Sequence, residues 1–182
     1  MGGGKDPAVS AEKQYEQTDY LGVGMFRSVL FLGLLAWAVG VQGADLNSQL
    51  LAAVSAGRTA QISDLLAQGA DANAKNAVGR PALVLAGFNG NTRSARLLVN
   101  AGADVNATDS AGNTALIASS AFGHGEVLSL LIAAGADPNL KNAAGQSALM
   151  RATLSGYSQL VDRLKAAGAV EEAAQAEGGG DG

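Results

Sequence analysis

Four oxygen-bearing side chains, Asp104, Asn106, Thr108 and Asp109, fall within the segment NAGADVNATDSAGNTAL, which runs from Asn100 to Leu116. Calcium is held by carboxylate, amide and carbonyl oxygens gathered in a short loop, so this composition raises a metal site. The spacing argues against one. A twelve-residue calcium loop needs Gly at its sixth position and Glu at its twelfth. Counted from Asp104, those positions hold Asp109 and Ala115. The glycine-rich nonapeptide calcium repeat fails too, because its period is different. Asp and Asn also shape turns by hydrogen-bonding nearby backbone, and that role accounts for every one of these residues without an ion. No metal ligand is assigned.

Other chemistry is equally sparse. His124 is the only histidine and cysteine is absent, so multi-His, Cys–His and thiolate sites cannot be built within one chain. Its expected role is local hydrogen bonding. No serine stands in a G-x-S-x-G elbow, and Gly2-Gly3-Gly4-Lys5 lacks the context of a phosphate loop. Neither catalytic nor cofactor-binding residues are assigned, and a small hydrolase or metal enzyme has little support. The net charge is −4 with no basic stripe, which removes the footprint that nucleic-acid binding requires.

The N-terminus reads as an export signal. Met25 to Gly43, MFRSVLFLGLLAWAVGVQG, has one positive residue, Arg27, followed by an uncharged run from Val29 to Val41. That run is short for a bilayer span, which wants about 20 apolar residues, but it suits a secretory leader closing on small residues. Residues 1–24 are polar and Gly-rich at the start, and read as a mis-assigned start or an N-terminal extension. Fold reasoning therefore begins near Ala44. The tail from 172 to 182 is acidic and Gly-rich, and is expected to be disordered.

What positions any functional residue in between is a repeat. Gly69-Ala70-Asp71, Gly102-Ala103-Asp104 and Gly135-Ala136-Asp137 recur every 33 residues, and Gly79, Gly112 and Gly145 keep the same period. So do Gly57, Gly90, Gly123 and Gly156, and the column Leu65, Leu98, Leu131 and Leu164. Several independent columns in one register establish an internal repeat. Within a unit, Thr114 is placed to cap a short helix beginning ALIASSAF. Gly123 ends that helix. Val127, Leu128, Leu131 and Ile132 then mark an amphipathic second helix, which Gly135 stops in the left-handed conformation. ADPNLKNAAG is a turn-rich loop. Few aromatics and much Ala, Gly and Leu suit helices packed closely on helices. A single unit cannot bury its apolar face alone, so the units must stack.

These units resemble ankyrin repeats, whose period is 33 residues and whose pattern includes T-P-L-H-x-A. The matching stretches are PALVLA from Pro81, TALIAS from Thr114 and SALMRA from Ser147, with SQLLAA from Ser48 as a degenerate first copy. The resemblance implies an all-α solenoid of about four helix–turn–helix repeats with projecting β-turns, over residues 44–171, with units at about 45–75, 76–108, 109–141 and 142–171. The family's proline is replaced by Ala82, Ala115 and Ala148, and its histidine by Val84, Ile117 and Met150. The usual histidine link between neighbouring turns is thus missing, and apolar contact is expected in its place. Lys165 and Arg163 stand where earlier units carry apolar residues, as a solvent-facing terminal helix requires.

By the same resemblance, a protein partner would bind on a concave face made of the turn tips and first helices. The residues assigned there are Val78, Arg80, Ser110, Ala111, Asn113 and Gln146 at the tips, with Phe88, Asn89, Phe122 and Leu154 on the helices. Exposed together, the apolar members would form an interface patch with Arg80 at its rim; tucked inward, the two Phe would belong to the inter-repeat core. Sequence leaves both open. The implied function is an exported, non-catalytic accessory or scaffold, a monomer working in the periplasm. Exported bacterial members have been linked to catalase-type, haem-dependent peroxide defence and to toxin immunity. A secreted host-directed effector is a further alternative.

Overall fold

The computed structural model describes residues 45–171. The expected leader at 25–43, the segment 1–24 and the tail 172–182 lie outside the described residues. Helices come in pairs: α1 (helical over 45–55) with α2 (Thr59–Ala67), α3 (Ala82–Asn89) with α4 (Thr92–Asn100), α5 (Ala115–Ala121) with α6 (Gly125–Ala133), and α7 (Ala148–Leu154) with α8 (Ser158–Ala166). Helices α3, α5 and α7 pack in succession as one layer, and α2, α4, α6 and α8 as a second layer against them.

The sequence explains why the layers differ. The second-layer helices bury one stripe: Ile62 and Leu65 in α2, Ala95 and Leu98 in α4, Val127, Leu128 and Leu131 in α6, Leu160 and Leu164 in α8. That is the spacing of an amphipathic helix facing a core. Helix α5 is buried along its length from Ala115 to Ser120, because a neighbouring pair covers it on each side. Such a helix needs small or apolar residues all round, and its two serines return their hydroxyls to Leu116 O at 3.0 and 2.7 Å, which satisfies them without a partner from outside. Alanines at 53, 86, 95 and 152 have essentially no exposure and let the helices approach closely.

The expected Thr114 cap forms, its Oγ1 accepting the amide of Ile117, and Ser147 Oγ caps α7 in the same way by accepting that of Met150. Between pairs the chain projects as turns closed by isolated antiparallel bridges, Lys75–Pro81, Thr108–Thr114 and Lys141–Ser147. The chain is therefore an all-α repeat solenoid.

The structure refines the sequence reading in three places. Val84 and Ile117, where apolar contact is expected, are buried in the core, and a polar link is added: Asn73, Asn106 and Asn139 each offer Oδ1 to the amide of Asp104, Asp137 and Val170 in the following loop, at 2.8 to 2.9 Å. Such a bond can span the stack because the short amide side chain needs only one fixed approach distance. His124 does not bond locally. Its Nε2 lies 3.1 Å from Phe88 O in the preceding unit, and its ring covers Gly90, where a Cβ would come within 2.6 Å of Nδ1. Arg163 is exposed on the terminal helix, as expected, and is also bonded. It reaches back to α6, where Nη1 donates to Gly125 O at 3.2 Å and to Ser129 Oγ at 2.8 Å.

Candidate functional site

The oxygen-rich segment resolves first. Asp104 Oδ1 accepts the amide of Asn106, while Asn106 Oδ1 accepts that of Asp137. Asp109 Oδ1 accepts the amides of Ala111 and Asn113. The same pattern holds one unit earlier, where Asn76 Oδ1 takes the amides of Val78 and Arg80, and one unit later, where Asn142 Oδ1 takes those of Ala144 and Gln146. A side-chain oxygen aimed at backbone N–H two residues on is how Asp and Asn hold a turn. These oxygens build the tips on which the assigned site residues sit.

On that platform the tips are tied to one another. Ser110 Oγ donates to Val78 O at 3.0 Å, Ala143 N to Ala111 O at 2.9 Å, and Asn142 Nδ2 to Asn113 Oδ1 at 2.9 Å. Ser110, Ala111 and Asn113 thus present a fixed backbone edge, with Ser110 and Ala111 exposed. Gln146 is half-buried and accepts from Arg151 Nη1 at 3.2 Å.

Beside the tips, Phe88 and Phe122 are 40 % and 45 % exposed, which answers whether they belong to the core. Their ring centroids are 4.4 Å apart and tilted by 58°, so the rings cover part of each other while both remain accessible to solvent. Phe122 also lies over His124, at 6.3 Å between rings. The guanidinium of Arg80 stands 5.2 Å from the centroid of Phe88, a cation–π distance. Its Nε is 3.6 Å from Asp109 Oδ2, and the Asp109 side chain is only 6 % exposed. Val78 is exposed at the neighbouring tip, and Asn89 at the end of α3.

The structure therefore brings Arg80, Phe88 and Phe122 into contact and ties Val78, Ser110, Ala111 and Asn113 into linked turn tips. Leu154 stands apart. At the C-terminal end of α7 it lines a cleft of about 490 Å³ with Leu149, Met150 and Val170. Helix α7 buries only Ala148, Leu149 and Ala152, leaving Met150 and Leu154 uncovered. Sequence reasoning missed Met150 and Val170 in this cleft. It also missed the cations that border the tips: Lys75, whose Nζ approaches Thr108 O at 3.5 Å, Lys141 in the same cleft, and Arg151. The register holds the signal for two of them, since Lys75 and Lys141 occupy one repeat column with Thr108 between.

Among the described residues no helix is long and apolar enough to cross a membrane. The family model for ankyrin repeats, in three copies, matches residues 50–142. No curated protein matches the chain.

Proposed function

The chain belongs to the ankyrin-repeat family, and on that footing we propose that it is a non-catalytic module that binds another protein on a concave face formed by its turn tips and first helices. Ankyrin repeats mediate protein–protein interaction, and the observation that carries the assignment of the face is the exposed Phe88–Phe122 pair with Arg80 over it. Large aromatics are seldom left half in water on a small domain, and an aromatic anchor beside an arginine is the composition of an interface hot spot. The polar residues nearby are hydrogen-bonded into the turns, so they hold shape and leave the aromatic pair as the adaptable contact.

The leader-like segment 25–43 supports an exported, periplasmic protein. An accessory role for a haem enzyme in peroxide defence and a role in toxin immunity both fit such a module, as does secretion to act on a host. Fractionation separates periplasm from medium. Immobilised full-length chain tests the face directly: capture of a partner from periplasmic extract should be lost in the Phe88→Ala, Phe122→Ala double variant while its helical circular dichroism is unchanged. Capture that survives the double change would remove the face from the account.

A further inference from the structure

We propose that this face selects an acidic peptide segment carrying a large apolar side chain, a reading that rests on the binding face proposed above and specifies its partner. The repeat region is electrically balanced, with nine Lys or Arg and nine Asp or Glu between residues 45 and 171, but the charges are not evenly placed. Four of the cations, Lys75, Arg80, Lys141 and Arg151, border the turn tips and first helices.

The carboxylates near them are already engaged. Asp109 is almost buried; its Oδ1 takes two backbone amides and its Oδ2 stands 3.6 Å from Arg80 Nε, so it compensates Arg80 from the Nε side alone. Glu171 borders the C-terminal cleft but is paired with Lys165 at 2.9 Å. Of the remaining acids, Asp45 opens α1 and accepts from Gln49 Nε2 at 2.6 Å, and the other six lie elsewhere. Asp71, Asp104 and Asp137 sit in the loops that follow the second helices, where each accepts a turn amide. Asp64, Glu126 and Asp162 are on the second helices.

The face thus carries positive charge on both sides of an apolar centre. An incoming carboxylate beside Phe88 meets Arg80, whose planar fork can take it in a two-point contact while still covering the ring. An apolar side chain of the same segment has the exposed part of the Phe88–Phe122 pair to cover. A second carboxylate further along reaches Arg151. Charge complementarity of this kind sets partner choice and speeds encounter, and salt weakens it.

The test uses the full chain and an array of synthetic twelve-residue peptides. Each carries one Trp, Phe or Leu, and acid content runs from none to six, with a Gln/Asn counterpart for every acidic member. Binding is read by fluorescence anisotropy at low and at 0.3 M salt, with thermal melts verifying that every variant is folded. The expected result is at least tenfold tighter binding of acidic members than of their amide counterparts. That preference should be lost at high salt and reduced severalfold by Arg80→Gln with Arg151→Gln, but not by Arg93→Gln with Arg96→Gln on α4. Binding that ignores acid content yet disappears in Phe88→Ala, Phe122→Ala would overturn this inference and leave the binding face standing. Binding indifferent to the Phe changes would overturn both. No peptide bound up to millimolar concentration, or an equal affinity for a single-stranded oligonucleotide, would also overturn the inference.

Discussion

Two sets of side chains run along the same stack and behave in opposite ways. Asn73, Asn106 and Asn139 repeat at an unbroken 33-residue spacing, and each makes the same bond to the next loop. Phe88 and Phe122 are 34 residues apart, at successive positions of their units, and yet they meet at 4.4 Å. The regular set does identical work in each unit, so its spacing must match the rise of the stack. The irregular set occurs once, at one junction, and points to solvent. In a repeat protein, strict periodicity marks what holds neighbours together, and a break in it on an exposed face marks what the protein does with its surface.

That contrast can be broken by substitution. Leu131 is fully buried in the periodic column, and Leu131→Ala should cost about 2–5 kcal/mol in urea unfolding. Phe122→Ala, in the irregular set, should cost no more than about 1.5 kcal/mol while removing partner capture. A stability loss for Phe122→Ala as large as for Leu131→Ala would place the aromatic pair with the fold.

A smaller effect separates two glycines of like backbone. Gly90 and Gly135 have φ of +70° and +87°. A methyl at Gly90 would strike the His124 ring, whereas at Gly135 nothing lies within 4 Å. Both substitutions carry the left-handed strain of about 1–2 kcal/mol. Gly90→Ala should lose more than Gly135→Ala, because it also displaces the His124 link to Phe88 O. Equal losses in thermal melts would show that this link contributes nothing.

Asn106→Ala removes the acceptor for the Asp137 amide and should cost about 1–2 kcal/mol, seen as faster hydrogen exchange at Asp137. Unchanged exchange there would remove the asparagine ladder from the account of stability. Smallest of all, Ser110→Ala deletes an exposed bond to Val78 O and should shift stability by less than about 0.5 kcal/mol. A larger loss would mean that the tips stabilise the fold as strongly as they shape the surface.

Much of this was readable in advance because the repeat multiplies each local signal. Glycines at 57, 90, 123 and 156 punctuate the units, and all four adopt positive φ. Thr114 caps as its position before an apolar run indicates. The asparagine ladder was visible as a column, but a turn-forming residue and an inter-repeat acceptor look identical until stacking fixes the distance. The same limit applies to Arg163, which in sequence is only a charge replacing leucine, and in space reaches Ser129. Exposure of Phe88 was undecidable from its own helix, since it depends on what the next unit places opposite, and there it is a second phenylalanine.

If the turn tips and the aromatic pair form one binding face, hydrogen–deuterium exchange of the full chain, with and without a partner captured from periplasmic extract, will show it. Slowed exchange is expected at the tips around residues 77–80 and 110–113 and near Phe88 and Phe122, with the outer stripe of α4 and α6 unchanged. Protection confined to α4 and α6, with the tips exchanging as in the free protein, would contradict it.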